Sequence, residues 1–204
     1  MTERIRILIA DDQALVRGAL AALLALEPDL DIVAEVADGE AAIARCQDTA
    51  VDVALLDIEM PRMTGIEAAA KLRELGLATK VLIVTTFGRP GYLQRALAAG
   101  VSGFVVKDAP AADLAEAVRQ VYSGKQVIDP KLAVESMSIG QSPLTERERE
   151  VLIVAQTGAT VRAIAKELFL SEGTVRNHLS SAIGKLGVDN RGEAAHEASR
   201  RGWL

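Results

Sequence analysis

One cysteine, Cys46, stands in a chain of 204 residues, which excludes an internal disulfide and fits a reducing cytoplasm. Its expected role is a small residue packed under a helix, not a reactive thiol. Aromatic residues make up only 3% of the chain, so a core has to be built from Ala, Val, Leu and Ile. The longest uncharged apolar run, Gly18 to Leu26, is too short to cross a bilayer. No charged-then-apolar leader opens the chain, because Ile5 to Ala10 is strand-length and runs into acids. The expectation is a cytoplasmic protein with no direct membrane insertion.

Half the residues are apolar and 25% are charged, the balance of a globular chain. The length allows one domain or two small ones, each with its own core. Net charge is −5 and unevenly placed: residues 1–125 hold 13 Lys/Arg against 18 Asp/Glu, and residues 126–204 hold 10 against 10. An acidic front half suits cation binding. In the neutral back half, any surface for nucleic acid has to be local.

The first 122 residues alternate strand-like and helix-like patterns. Strands are expected at about 5–10, 31–36, 51–57, 80–85 and 103–106, with helices at about 14–26, 39–47, 65–75, 91–99 and 111–122. Five such units predict an α/β fold, a doubly wound five-stranded parallel sheet covered on both faces. Between residues 123 and 143 the pattern dissolves into Gly, Pro and Ser, which reads as a linker with a short helix near 130–137. Residues 144–204 then fit a smaller all-α domain with helices at about 145–157, 160–168, 172–186 and 190–201. Thr145 with Glu148 forms a capping-box pattern, and Ser171 can cap the third of these helices.

The expected strand ends carry the chemistry. Asp11 and Asp12 follow the first strand, Asp57 the third, Thr85 closes the fourth and Lys107 follows the fifth. In a parallel sheet these ends share one edge, where open α/β folds bind ligands. Asp11 and Asp12 alone equally suit a solvated turn or helix cap, and so does Asp57. Together the three carboxylates supply hard oxygen ligands for Mg²⁺. Such an ion offsets their repulsion and neutralises charge on a phosphoryl group in transfer. Lys107 offers a mobile point charge to a phosphate oxygen, and Thr85 a hydroxyl.

As a set, Asp11-Asp12, Asp57 followed by Ile58-Glu59-Met60-Pro61 and Gly65, Thr85 and Lys107 resemble the receiver domain of bacterial two-component response regulators, over about residues 3–122. The resemblance implies that Asp57 accepts a phosphoryl group from a sensor histidine kinase. It also implies that Asp11, Asp12, Asp57 and the carbonyl of Glu59 hold Mg²⁺, and that Thr85 and Phe104 are the switch pair. Many receivers place Pro after the pocket lysine; here Asp108 follows Lys107. Phosphorylation turns one negative charge at Asp57 into roughly two, giving Thr85 and Lys107 contacts available only in that state. The expected response is repacking of residues 85–106 and a change in self-association.

From Ala14 to Leu26 the only polar side chain is Arg17. A helix so apolar can bury a second face, or it can be an Ala-rich surface that tolerates exposure. The dimer reading pairs it across a two-fold axis with the helix at 111–122, and places Leu23, Leu24, Leu114 and Val118 at the interface. Phe87 can limit water access to an acyl phosphate, or can be an ordinary packed loop aromatic.

In residues 144–204, two short helices around a turn near Phe169 to Ser171 have helix-turn-helix proportions. The second would enter a major groove near its N-terminus. Arg176 and Asn177 suit base edges, Ser180 lies one turn on, and Thr174 and Lys185 suit phosphate. A helical interaction module with ordinary surface charge is the alternative. The segment 144–201 resembles the LuxR-type DNA-binding domain, and receiver, linker and reader in this order resemble the NarL/FixJ subfamily. That implies dimeric binding to paired half-sites in promoter DNA, with the helix at 190–201 serving dimerisation. His178 stands where the family often has His, in a structural role. Ser180 replaces a basic residue found in some members, so base preference does not carry over. The run from Thr85 to Tyr92, with Gly173-Thr174-Val175-Arg176-Asn177, is similar to regulators of membrane-lipid desaturation in Gram-positive bacteria.

The expected function is therefore a phosphorylation-dependent transcription factor. It is no enzyme toward external substrates, though it assists its own phosphorylation and dephosphorylation. Two other readings stand beside it: a phosphatase of small phosphoesters, which lacks an evident acid/base group, and a constitutive DNA-binding dimer with the receiver as scaffold.

Overall fold

The computed structural model describes residues 4–86, 90–139 and 142–204, so Phe87 and its expected role lie outside the described residues. The described residues divide into two compact units, 4–86 with 93–134 in the first and 90–92 with 135–139 and 142–204 in the second.

The first unit holds a parallel sheet of order β2-β1-β3-β4-β5-β6, formed by β1 Ile5–Ala10, β2 Leu30–Val36, β3 Val53–Leu56, β4 Lys80–Thr85, β5 Gly103–Val106 and β6 Val127–Ile128. The sheet has six strands, not the five expected. Val127 and Ile128 pair with Gly103 and Phe104 inside the stretch that reads as linker. Two residues are too few to show a period of two, and the sheet edge, not local pattern, makes them a strand. Pro130 then opens a helix, α6 Pro130–Ile139, near where a short one was expected.

Between the strands run α1 Ala14–Leu24, α2 Gly39–Asp48, α3 Gly65–Glu74, α4 Pro90–Ala99 and α5 Ala111–Tyr122. β1 and β3 lie inside a parallel sheet and are apolar on both faces, so neither alternates. The exception, Arg6, is half-buried and grips Asp52 bidentately at 3.0 and 2.7 Å, at the sheet edge opposite the expected site. α5 buries Leu114, Ala117, Val118 and Val121, an i, i+3, i+4, i+7 stripe.

α1 behaves the same way, and this corrects the expected interface. Ala21 and Leu24 turn inward, and Leu24, Leu114 and Val118 are at most 6% exposed within one shared core. They leave almost no surface for a partner. A helix apolar nearly all round still has a single inner stripe, and spacing places Leu24 on it. Leu15, Leu23 and Leu26 remain outside at 86%, 46% and 78% exposure.

The second unit contains α7 Glu146–Ala155, α8 Val161–Glu167, α9 Glu172–Leu186 and α10 Arg191–Arg200. Each begins at a side chain that accepts a hydrogen bond from the helix's own first turn: Thr145, Thr160, Ser171 and Asn190. Val151, Leu152, Ile164, Val175, Ala182 and Trp203 anchor its core. No described helix is long and apolar enough to cross a membrane.

Leu24→Ala should therefore cost about 3 kcal/mol of stability, and Leu23→Ala less than about 1 kcal/mol. Chemical denaturation followed by circular dichroism measures both, and equal costs would contradict the inward assignment of Leu24.

Candidate functional site

Ladder register assembles the candidate pocket. Ala10, Leu56, Ile83 and Phe104 are successive partners across β1, β3, β4 and β5, so the residues just beyond them converge on one edge. Three backbone bonds continue the ladders past the strand ends. Asp11 N donates to Val36 O at 3.1 Å, Asp57 N to Ala10 O at 2.9 Å, and Lys107 N to Thr85 O at 2.8 Å. The backbones of Asp11, Asp57 and Lys107 are thus fixed by neighbouring strands before their side chains do anything.

One carboxylate oxygen from each of Asp11, Asp12 and Asp57 lies within 4.8 Å of the others. Asp11 and Asp57 are buried; Asp12 is exposed. Lys107 Nζ lies 2.7 Å from Asp11 Oδ2 and 3.3 Å from Asp57 Oδ2. Neither Nζ nor Asp11 Oδ2 has a partner in hydrogen-bond alignment, so these are charge contacts made off axis. Burial pushes the Asp57 carboxyl above its ordinary range; Lys107 opposes the rise and Asp11 adds to it. A polar cleft of about 130 Å³ opens over Asp12, Asp57, Glu59, Thr85 and Thr86. Thr85 itself is buried, and Phe104 is fully buried beneath the edge.

The donor set fits a hard divalent cation. Asp11 Oδ2 is buried without an aligned donor, three carboxylates face one ammonium, and the cleft leaves room for waters, the arrangement Mg²⁺ prefers.

Two devices around the pocket escape sequence reading. Gly65 brings α3 against β3 so closely that a Cβ there would lie 2.1 Å from the Asp57 carbonyl oxygen. Gly65 belongs to the expected motif, but this contact has no sequence signal. The second device is Asp38, buried at the head of α2, which accepts from Ala41 N at 2.9 Å and pairs with Arg62. Arg62 has a left-handed backbone, φ +65°; its pairing with Asp38, with Gly39 N donating to Met63 O at 3.3 Å, pins the loop carrying Glu59 to the β2–α2 junction. An Asp-Gly pair before a helical pattern signals the cap; nothing signals the arginine.

In the second unit, α9 exposes Arg176, Asn177 and Ser180, and Thr174 is half-buried. Thr174 also serves the cap, with its N–H donating to Ser171 Oγ at 3.0 Å and the two hydroxyls 2.8 Å apart. Arg176 pairs with Glu172 at 2.7 Å, an exposed contact that holds it weakly. His178 is half-buried.

Lys185, offered to phosphate by sequence, commits its ammonium to Glu148 at 2.9 and 2.7 Å, and Ser181 Oγ donates to the same carboxylate at 2.6 Å. Glu148 also completes the expected capping box by accepting from Thr145 N at 2.7 Å. Burial alone would raise this carboxyl; Lys185, Ser181 and Thr145 outweigh it and hold it at about 2. One buried acid thus ties α7 to the far end of α9.

Comparison with known proteins covers both units. The family model of the response regulator receiver domain matches residues 7–119, and that of bacterial regulatory proteins, luxR family, matches residues 142–198. The chain is a response regulator of the two-component type with a LuxR-type DNA-binding domain. The regulator is 44% identical over 200 residues to YvfU, an uncharacterized transcriptional regulatory protein, and to transcriptional regulatory protein DesR, both of Bacillus subtilis (strain 168). The alignments cover 98% of this chain and 100% and 99% of theirs. Among solved structures it is similar to the response regulator ChrA of a heme-sensing two-component system, at 34% identity and TM-score 0.59, covering 98% of this chain and 99% of that one. It is also similar to a response regulator RcsB–DNA complex, at 25% identity and TM-score 0.66, covering 97% and 99%.

Because Glu148 is held below its ordinary 4.5, its contribution to stability is complete above that pH and is lost as pH falls toward about 2. The single tryptophan, Trp203, is buried in this unit's core and reports its unfolding. Acid titration of Trp fluorescence should show a shallower acid limb for Glu148→Gln than for the native chain. Superimposable limbs would contradict the pairing.

Proposed function

We propose that Asp57 stores a signal as an acyl phosphate received from a sensor histidine kinase, and that this promotes a homodimer able to bind promoter DNA sequence-specifically. The observation that carries the reading is the buried Asp11–Lys107–Asp57 contact at the sheet edge. It is an excess of negative charge gathered around one mobile ammonium.

In this account a carboxylate oxygen of Asp57 attacks phosphorus, the new P–O bond forms, and the donor's imidazole leaves. Asp11, Asp12, Asp57 and the Glu59 carbonyl would hold Mg²⁺, which supplies neutralisation of charge on the transferring group. Lys107 then turns from Asp57 toward a phosphoryl oxygen, and the Thr85 hydroxyl gains a contact that only the phosphorylated state offers. Thr85 and Lys107 are joined through backbone at 2.8 Å, so movement of one draws on the other. Phe104 stands on β5, the strand that leads to Lys107, and is the position that repacks.

The homodimer uses the outer stripe of α1, where Leu15 and Leu23 are exposed, continued by Leu26. Exposed leucines with only Gly18, Ala19, Ala22 and Ala25 exposed between them, and with Arg17 donating to the Asp11 carbonyl, suit an isologous contact. Residues 1–122 act as the receiver, 123–143 as the connection and 144–204 as the reader, with Arg176 and Asn177 at base edges and Ser180 and Thr174 beside them. The protein works in the cytoplasm, where kinase and DNA meet.

Incubation with acetyl phosphate and Mg²⁺ should add one phosphoryl mass to the native chain and none to Asp57→Ala. It should also shift sedimentation from monomer to dimer. Leu23→Asp should still take up the phosphoryl group yet remain monomeric, and should bind a two-half-site duplex on the order of a hundredfold more weakly. A phosphorylated native chain that stays monomeric would overturn the dimer reading.

A further inference from the structure

Phe169, in the turn between α8 and α9, is 95% exposed and has a left-handed backbone at φ +54°. Its neighbours Leu168 and Leu170 pack against the unit's core; its own ring does not. Left-handed backbone strains a bulky side chain, and glycine takes it freely. Elsewhere among the described residues of this unit that conformation falls on glycine, at Gly158, Gly187 and Gly202. The turn alone would be served better by glycine or asparagine. A strained aromatic that gives nothing to the fold points to a surface the ring meets outside the chain.

Position identifies that surface. Phe169 precedes Ser171, the N-cap of α9, by two residues, at most about 7 Å of chain. The start of α9 carries the helix's positive dipole end and the exposed Arg176 and Asn177. A ring so placed reaches DNA whenever α9 does. Being neutral, it meets apolar DNA surface, meaning deoxyribose and thymine methyl groups, and not phosphate.

We propose that Phe169 is a DNA-contacting residue that packs on apolar sugar and base edges beside the start of α9. This rests on the DNA-binding reading of α9.

The test uses the full chain with acetyl phosphate and Mg²⁺. Native protein and Phe169→Asn each select duplexes from a random-sequence library, and both are then titrated with the native consensus over a range of salt. Phe169→Leu, which keeps an apolar side chain, is titrated alongside. Phe169→Asn should melt at or above the native temperature, bind about tenfold more weakly, and keep the native slope of log affinity against log salt. Phe169→Leu should bind within about threefold of native. Equal affinity and identical selected sequences for Phe169→Asn overturn the proposal, as does a lower melting temperature, which would give the ring a role in folding. Unchanged DNA binding with lost transcriptional activation overturns it in favour of a protein surface. A native chain that enriches no sequence overturns the DNA-binding reading and the proposal together.

Discussion

The structure depends on an electrostatic imbalance held in place by backbone. At the carboxyl edge of the sheet, Asp11, Asp12 and Asp57 face the single ammonium of Lys107. Water would relax such a cluster by letting the side chains separate. Here Asp11, Asp57 and Lys107 cannot move apart freely, because their backbones are held by the last rungs of neighbouring ladders. Burial makes the imbalance more costly still, which is why the Asp57 carboxyl titrates high. An edge of this kind is relieved by a hard cation and is altered by any group that changes its charge.

Backbone close approach, not side-chain packing, sets the position of the acceptor. α3 comes so near the end of β3 that only glycine fits at residue 65, and the Asp38–Arg62 pair pins the loop between them. In contrast, Asp52 at the other end of the third strand is neutralised by Arg6, and its carboxyl is held below the ordinary range mainly by that hydrogen bond. Two acids flanking one strand thus have opposite roles: one is satisfied and structural, the other is left poised.

Much of this was legible in sequence. Apolar runs ending in Asp, Thr or Lys are a local signal, and a parallel sheet brings such ends together whatever its loops do. Helix caps at Thr145 and Ser171 were legible for the same reason, since a cap acts within three residues. The illegible features are non-local. Val127–Ile128 becomes a strand only because β5 offers an edge. Lys185 meets Glu148 only because α7 packs on α9. Leu24, Leu114 and Val118 go inward because two helices share one core, while an apolar sequence alone does not say which stripe faces out. Phe169 carries its signal in a backbone angle, which sequence does not display.

The central claim is that the edge cluster is a divalent-cation site made by its carboxylates. Calorimetric titration of Mg²⁺ into the native chain and into Asp12→Asn tests it most directly. The exposed Asp12 is the carboxylate whose loss disturbs the core least. The account predicts one ion per native chain and an affinity lower by on the order of tenfold or more in the variant. Equal binding by both proteins, or no binding by either, would contradict it.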